Sequence, residues 1–362
     1  MIINQMKCPE HRHRNVYKIC SILCGLPKKL ICSKCLFFIG PMPVNLDRSS
    51  ISDIYKKEHI ILEKSDGIRY LLFGNNQNFS LIDRNKKSHN ILKKSVGKNI
   101  DFSFLDGELT FNMILEKYNY LIYDIGLING DWRISSWDLY SRSQAVSYYL
   151  LNLFERNKLV EIFLTEKLFF YKYNINKLLQ AISINSYTKE HVFLNLGING
   201  LFNCNKNDGL IFSQLRANYS LRTTCTTLKW KYEFENTMDL LIQKKIENYN
   251  NGRKNHKTFG LSSLLNKNKL LKIYESKKLN FSLKIKHSIP TKKKKIGEFR
   301  YFQYKGSWIL KKRRFDKTKP NSHKVLCNTF KIISESINKF ELTDNILKFQ
   351  ARKERGKCCA KY

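Results

Sequence analysis

One short run of the sequence combines the residue types that a covalent catalyst needs. In Glu-Lys-Ser-Asp-Gly-Ile-Arg at residues 63–69, Lys64 precedes an Asp-Gly turn dipeptide and Arg69 follows it. The apolar flanks predict two strands, and the dipeptide predicts that they pair as a hairpin that holds Lys64 near Arg69. A neighbouring cation or a dry pocket would lower the pKa of Lys64 and release a nucleophilic amine. The alternative is a charged surface hairpin without chemistry.

Four further runs set charged or aromatic residues beside apolar ones. They are Leu-Asp-Gly-Glu-Leu at 105–109, Leu-Ile-Tyr-Asp at 121–124, Asp-Gly-Leu-Ile-Phe at 208–212 and Leu-Lys-Trp-Lys at 228–231. Lys229 and Lys231 fall on one face of a predicted strand, since alternate residues point the same way. Each run alone is an ordinary turn and strand, or an edge strand with solvated lysines. Their order along the chain favours one shared site.

Together the five runs resemble, in order, the motifs of the covalent nucleotidyltransferases, which include mRNA capping enzymes and ATP-dependent DNA and RNA ligases. The resemblance implies that Lys64 is the nucleophile that takes up a nucleotide. It also implies a divalent metal ion, Mg²⁺ or Mn²⁺, held near Asp208.

The same resemblance assigns the contacts to the bound nucleotide. Arg69 and Glu108 would lie near the ribose, and the base would stack on Tyr123. Lys229 and Lys231 would reach the α-phosphate.

Two features, at residues 40–46 and 208–209, are closer to capping enzymes than to ligases. Gly-Pro-Met-Pro-Val-Asn-Leu at 40–46 is similar to the Pro-Gly-x-x-Pro-Val-Ser-Leu segment of capping enzymes, with Ile39 and Asn45 as departures. The Asp-Gly pair at 208–209 also resembles capping enzymes, whereas ligases usually have Glu-Gly there.

A third feature lies near the C-terminal end. Trp308, Arg-Phe-Asp-Lys at 314–317 and Pro-Asn at 320–321 resemble the sixth motif of capping enzymes. The resemblance assigns to the β- and γ-phosphates three residues: Arg314, Asp316 and Lys317. Lys312 stands where the family has an arginine, and it lacks the planar bidentate fork of that residue.

The resemblance implies an mRNA guanylyltransferase that forms a covalent lysyl-GMP from GTP and transfers GMP to a 5'-diphosphate RNA end. The RNA triphosphatase and the cap methyltransferase are expected as separate chains. The resemblance implies contact with the phosphorylated C-terminal domain of RNA polymerase II. It also implies a location in the nucleus. The alternatives are an ATP-dependent polynucleotide ligase and an inactive OB-fold nucleic-acid-binding protein.

Composition agrees with a polyanionic partner. The 362 residues include 65 Lys and Arg against 30 Asp and Glu, a formal charge of +35. Such an excess favours RNA or nucleotide phosphates. The sequence has no run of about 18 apolar residues and no secretory signal pattern, so no membrane partner and a location inside the cell are expected.

Five of the ten cysteines lie before residue 36, with His11 and His13 between the first two. Cys32 and Cys35 have the spacing of a zinc knuckle, and Cys8 with His11, or Cys20 with Cys24, could complete four ligands. In the alternative, residues 15–26 form a helix that simply buries its cysteines.

The order of the motifs predicts the domain organisation. A Cys/His-rich segment at 1–36 precedes a nucleotidyltransferase domain at 37–233, an OB-fold domain at 234–323 and a C-terminal helix and basic tail at 324–362. The fold class is α/β (α+β), with antiparallel sheets, followed by a β-barrel. Periodicity predicts helices at 141–156, 174–184 and 324–349, and strands at 279–286, 297–304 and 307–312. Residues 239–272 form a polar passage before those strands.

Overall fold

The computed structural model describes the chain from residue 40 onward in thirteen stretches. They are 40–75, 78–84, 87–92, 103–154, 162–196, 202–220, 223–247, 256–264, 270–276, 295–302, 307–315, 317 and 319–359. The chain divides into two compact units: unit 1 comprises Met1–Trp230 and Phe340–Tyr362, and unit 2 comprises Lys231–Lys339. The predicted boundaries at 36, 233 and 323 stay predictions.

Strands dominate both units. In chain order they are β1 (Met42–Asn45), β2 (His59–Ser65), β3 (Ile68–Asn75), β4 (Asn78–Ile82), β5 (Ser88–Leu92), β6 (Ser103–Asn112), β7 (Lys117–Leu127), β8 (Ile162–Glu166), β9 (Phe170–Tyr171), β10 (Ile182–Ile184), β11 (His191–Leu196), β12 (Phe202–Gln214), β13 (Thr223–Lys231), β14 (Thr237–Glu247), β15 (His256–Leu264), β16 (Leu270–Ser276), β17 (Lys295–Phe302) and β18 (Ser307–Arg313).

The α-helices of the described residues are α1 (Arg48–Lys56), α2 (Leu139–Phe154), α3 (Ile175–Gln180), α4 (His323–Glu335) and α5 (Lys339–Cys359). The predicted helix at 141–156 is confirmed as α2. The one predicted at 174–184 is helical only to Gln180 and then becomes β10. The single helix predicted at 324–349 is wrong, because Ser336 adopts a left-handed conformation at φ 40° and ends α4 before α5 begins.

Unit 1 contains two sheets. A six-stranded sheet has the order β5-β4-β3-β6-β7-β8, and a seven-stranded sheet has the order β1-β13-β12-β11-β10, with β2 beside β12 and β9 beside β2. The prediction of antiparallel sheets holds for most pairs, but β1 pairs with β13, and β7 with β8, in parallel. Both sheets are therefore mixed.

The largest core cluster lies between α2 and the six-stranded sheet. Val146, Tyr149 and Leu150 on the helix pack with Tyr120 and Ile122 on β7, and all five side chains are buried. Removal of this apolar surface from water stabilises the packing of the helix on the sheet. It thereby fixes the position of the strand that carries Tyr123.

The predicted strands on either side of Asp66-Gly67 exist, but the hairpin between them is wrong. β2 pairs with β12 in one sheet, whereas β3 pairs with β4 and β6 in the other. The Asp66 N–H donates to the Lys206 carbonyl at 2.8 Å, so the turn continues the seven-stranded sheet before the chain crosses over. The turn dipeptide therefore links two sheets.

Unit 2 is built on a five-stranded antiparallel sheet of order β16-β15-β14-β17-β18. The predicted strands at 297–304 and 307–312 are confirmed as β17 and β18, and the one at 279–286 lies outside the described residues. The passage described as polar at 239–272 contains most of β14, all of β15 and the start of β16. Its apolar residues alternate along β14, where Leu240 is buried in the unit's core and Ile242 packs against it.

The crossover demands glycine at position 67. A Cβ on Gly67 would lie 2.6 Å from the Leu109 carbonyl oxygen and 2.7 Å from Glu108 Cγ. We expect Gly67→Ala to cost about 1–3 kcal/mol, because the backbone it meets cannot move aside cheaply. Thermal unfolding would show a fall of about 2–4 °C per kcal/mol.

The matched control is Ile68→Ala at the neighbouring residue, whose side chain is 58% exposed. It should stay within about 0.5 kcal/mol of the wild type. Equal unfolding temperatures for the two variants would contradict the tight crossover.

Candidate active site

Lys64 faces Asp208 across two adjacent strands. The Lys64 Nζ lies 2.6 Å from Asp208 Oδ2, and both side chains are largely buried. In the register of β12 and β2, Asn207 pairs with Ser65 and Gly209 with Lys64, so Asp208 is the extra residue of a β-bulge. A bulge re-aims a side chain, and here it directs the carboxylate at the lysine.

The bulge is fixed by Asn207 and Gly209. The Asn207 side-chain amide donates to the Gly209 carbonyl at 3.0 Å and to the Lys64 carbonyl at 3.2 Å, and its oxygen accepts from the Gly209 N–H at 3.1 Å. Gly209 has a φ of 141°, which favours a residue without Cβ. The glycine of the Asp-Gly motif thus shapes the backbone that presents Asp208.

Carboxylates control the protonation of Lys64. Burial lowers the pKa of its amine, but Asp208 and Glu108 raise it by more, so the pKa lies above its usual value. The sequence-based expectation of a pKa lowered by a neighbouring cation is therefore wrong for the nucleotide-free protein. The lysine is held as an ammonium ion, which cannot attack.

Arg69 lies in a buried ion pair with Asp106. Its Nε donates to Asp106 Oδ1 at 2.9 Å, its Nη2 donates to Asp106 Oδ2, and its Nη1 donates to the Pro41 carbonyl at 2.8 Å. The guanidinium therefore ties β3 to β6 and to the chain entering β1. The predicted ribose contact of Arg69 stays a prediction beside this structural role.

Gly40 leaves the space that this ion pair occupies. It has a φ of 111°, and a Cβ there would lie 2.3 Å from Arg69 Nη2 and 2.6 Å from Asp106 Oδ2. The Gly-Pro segment noted in the sequence thus packs directly on the Arg69–Asp106 pair.

Asp106 also accepts two phenol hydrogen bonds. Tyr123 donates to its Oδ1 at 2.7 Å, and Tyr219 donates to its Oδ2 at 2.8 Å. Burial raises the pKa of Tyr123 well above its usual value, so this phenol stays a donor. The Tyr123 ring, predicted to stack on the base, is therefore tethered at its hydroxyl.

Lys167 is a site residue that sequence reasoning missed. It follows β8, is 5% exposed, and its Nζ lies 2.7 Å from Ser65 Oγ and 3.2 Å from Glu63 Oε1. The same Nζ lies 3.7 Å from Glu108 Oε2 and 5.9 Å from the centre of the Tyr123 ring. A single lysine among apolar residues gives no motif, and only the parallel pairing of β8 with β7 brings it here.

Glu108 joins the two sheets at this point. Burial raises the pKa of its carboxyl, while Lys167 and Lys64 oppose that rise. Because Glu108 stands on β6 and Lys64 on β2, their electrostatic contact places the predicted ribose ligand beside the predicted nucleophile.

Asp124 and Arg142 form a second buried pair that the sequence did not reveal. Arg142 Nε lies 2.7 Å from Asp124 Oδ1, and Arg142 Nη1 donates to the carbonyls of Trp137 and Ala217 at 2.5 and 2.9 Å. Arg142 is 2% exposed. It anchors the start of α2 to the residue that follows Tyr123.

Lys229 and Lys231 lie on β13, as predicted. Leu228 and Trp230 are buried on one face of the strand, and the two lysines are half-buried on the other. Asn45 on β1 pairs with Lys229, so the Gly-Pro segment and the lysine pair are neighbours.

The residues assigned to the β- and γ-phosphates belong to unit 2. Arg314 Nη1 lies 2.9 Å from Asp239 Oδ1 and 3.6 Å from Glu298 Oε2, and Lys317 Nζ lies 3.8 Å from Asp239 Oδ2. Asp316 and the cysteine-rich segment at 1–36 with its possible zinc site lie outside the described residues.

The part of the chain that the structure describes contains no helix long and apolar enough to cross a membrane.

Comparison with known proteins identifies related chains. The family "mRNA capping enzyme, catalytic domain" matches residues 2–233, and "mRNA capping enzyme, C-terminal domain" matches residues 228–343. The mRNA-capping enzyme subunit alpha of Neurospora crassa is 25% identical over 226 residues in an alignment that covers 57% of this chain and 54% of that protein. That of Schizosaccharomyces pombe is 25% identical over 245 residues, with 57% and 53% covered.

The chain thus spans about half the length of the curated relatives it matches. A solved structure of a mycobacterial DNA ligase D with ATP is 12% identical, with a TM-score of 0.41 over 77% of this chain and 96% of that one. Unit 1, with its mixed sheets, has the nucleotidyltransferase-type fold. Because the catalytic-domain match alone covers more than half of the sequence, this chain belongs to the mRNA capping enzyme family.

Proposed function

We propose that this chain is an mRNA guanylyltransferase. It forms a lysyl-GMP from GTP on Lys64 and transfers the GMP to the 5'-diphosphate end of an RNA, which makes the GpppN cap. The observation that carries the proposal is the 2.6 Å pair between Lys64 and Asp208, set beside Glu108 in the space between two sheets. That arrangement places the primary amine of Lys64 next to the carboxylates of Asp208 and Glu108.

The described residues fit a metal ion that arrives with the nucleotide. No group of three or more His, Cys, Asp or Glu side chains among them is placed to hold a metal alone. Mg²⁺ is usually bound by one or two carboxylates with phosphate oxygens and water, so Asp208 suits Mg²⁺ or Mn²⁺ carried by GTP. When bound, the ion supplies positive charge to the phosphate and to Asp208. With Asp208 engaged in this way, Lys64 would release its proton to water and become a neutral amine.

The roles of the other residues follow from their positions. Tyr123 offers a ring face to the base while Asp106 holds its hydroxyl, and Glu108 takes the ribose with Arg69 nearby. Lys229 and Lys231 stabilise the charge that develops on the α-phosphate as Lys64 attacks and pyrophosphate leaves.

In unit 2, Arg314, Asp316 and Lys317 bind the β- and γ-phosphates. In the nucleotide-free protein, Arg314 pairs with the carboxylates of Asp239 and Glu298. On GTP binding, the phosphates take the place of these carboxylates as the anionic partners of Arg314. We assign an OB-fold to this unit, as the family resemblance implies.

The proposal extends to location and partners. A nuclear protein, with an RNA triphosphatase and a cap methyltransferase as separate chains, suits this activity, as does contact with the phosphorylated C-terminal domain of RNA polymerase II. The second candidate is an ATP-dependent polynucleotide ligase, which would use Lys64 in the same way and differ in the choice of base.

Self-labelling tests the proposed function. The protein incubated with α-labelled GTP and Mg²⁺ should become labelled and should lose the label to 5'-diphosphate RNA, whereas α-labelled ATP should leave it unlabelled. Lys64→Arg should remain folded yet unlabelled, because arginine keeps the charge opposite Asp208 and cannot act as the nucleophile. Labelling by ATP alone would identify a ligase, and labelling by neither nucleotide would contradict both enzymes.

Asp208→Asn should lower the pKa of Lys64. Removal of the nearest carboxylate leaves burial, which disfavours the ammonium ion, opposed by the weaker effects of Glu108 and Asp66. Acylation of Lys64 at a series of pH values, followed by peptide mass spectrometry without nucleotide or metal, measures this pKa. Glu108→Gln, the matched control, should lower it less. An unchanged or higher pKa in Asp208→Asn would contradict the proposed resting state.

Tyr123→Phe and Tyr219→Phe remove the two phenol bonds to Asp106 one at a time. Each should cost about 1.5–3 kcal/mol of stability, since each bond involves a charged acceptor. Only Tyr123→Phe should also raise the KM for GTP, because its ring loses the tether that orients it toward the base. The KM for GTP of each variant is measured from initial labelling rates. Equal KM values for Tyr123→Phe and Tyr219→Phe would contradict the assignment of Tyr123 to the base site.

A further inference from the structure

Three large aromatic side chains are exposed where β7 leads into α2. Trp132, Trp137 and Tyr140 are 53%, 48% and 47% exposed. Trp132 and Trp137 lie at the two ends of a 3₁₀ helix at Trp132–Ser136, and Tyr140 lies in the first turn of α2. The chain has four tryptophans, and the other two, Trp230 and Trp308, are each 4% exposed. We call Trp132, Trp137 and Tyr140 the aromatic platform.

The platform is connected to the nucleotide site by short contacts. Arg142 donates to the Trp137 carbonyl at 2.5 Å and pairs with Asp124, the residue after Tyr123. The Tyr219 N–H donates to the Ser135 carbonyl at 2.8 Å, and the hydroxyl of the same tyrosine binds Asp106. The backbone that presents the platform is therefore fixed to the network that holds Tyr123.

Core packing gives the same connection. Leu139, between Trp137 and Tyr140, is buried in a cluster with Ile60 and Leu62 of β2, and Tyr123 packs against that cluster. The platform thus starts at the edge of the space between the two sheets where Lys64 and Tyr123 lie.

Local charge indicates what kind of contact the platform offers. Arg133 pairs with Asp131 at 2.8 Å, and Arg142 pairs with Asp124 at 2.7 Å. Asp138 accepts from the Ser141 N–H at 2.8 Å and also interacts with the charges of Arg142 and Arg216. Three arginines and three aspartates leave the neighbourhood near neutral, so attraction here comes from ring faces. Single-stranded nucleic acids bind such faces by stacking their bases, about 1–3 kcal/mol for each base.

We propose that the aromatic platform binds the first nucleotides of the acceptor RNA by base stacking and so presents the 5'-diphosphate to lysyl-GMP. This inference rests on the proposed function and adds the binding site of its second substrate. A single-stranded 5' end offers unstacked bases, and the chain's charge of +35 supplies the general attraction to its phosphates. A protein partner on the same rings is the competing explanation.

The test uses the full chain and a short single-stranded 5'-diphosphate RNA with a fluorescent label at its 3' end. Trp132→Ala/Trp137→Ala should weaken binding, measured by anisotropy, by about tenfold or more, the loss expected for one stacked base or more. Trp132→Phe/Trp137→Phe keeps two aromatic faces and should restore binding. Tyr187→Ala removes a 93% exposed aromatic on the turn between β10 and β11 and serves as the matched control. It should bind like the wild type.

Transfer of GMP from pre-formed lysyl-GMP gives the second readout. The Ala double variant should need about tenfold more RNA to reach half-maximal transfer, with the rate at saturating RNA unchanged. Wild-type affinity in the Ala variant would overturn the inference and leave the platform to a protein partner. Absence of lysyl-GMP in the wild type would overturn the proposed function instead, and the anisotropy would still decide whether the platform binds RNA.

Discussion

The ion pair between Lys64 and Asp208 is the interaction on which the proposed chemistry depends. It exists because β2 and β12 are neighbours and because a bulge turns Asp208 toward β2. Both groups are largely buried, and removing one member of such a pair leaves an uncompensated charge that costs about 3–5 kcal/mol. The nucleotide-free site is therefore stable and chemically silent. A ligand that brings positive charge to Asp208 would compensate this carboxylate once the amine of Lys64 is deprotonated.

A second buried carboxylate organises the surroundings. Asp106 is fully buried and accepts from the side chains of Arg69, Tyr123 and Tyr219. Arg69 in turn holds the Pro41 carbonyl, and Gly40 gives the room for that contact. Side chains from three other segments of the chain thus meet on the Asp106 carboxylate, and charge-assisted hydrogen bonds in a dry interior fix their geometry. The position of the Tyr123 ring is a consequence of this network.

The sequence predicted the parts that local patterns encode. The strands around Lys64, the face shared by Lys229 and Lys231, and the helix predicted at 141–156 follow from local residue patterns, and all three are present, the helix at 139–154. The partner of a strand is not local information, so Asp66-Gly67 suggested a hairpin where the chain changes sheets. The prediction that the pKa of Lys64 is lowered was wrong for the same reason. Glu108, next to Lys64 in space, is 44 positions away in sequence, and the effect of Asp208 depends on a bulge.

Lys167 and Arg142 show the limit of reading motifs. Neither belongs to a run with recognisable spacing, yet each is nearly fully buried and contacts the residues around Tyr123. A cation buried among apolar residues is costly unless it is paired, and its partners here come from other strands. Such residues become visible only when the two sheets are brought together.

The most direct measurement is the location of the covalent nucleotide. The protein is incubated with unlabelled GTP and Mg²⁺ and digested without acid, and its peptides are analysed by mass spectrometry. The account predicts one peptide heavier by a single GMP, with the added mass on Lys64. GMP on another residue, or a covalent AMP formed from ATP in its place, would contradict it.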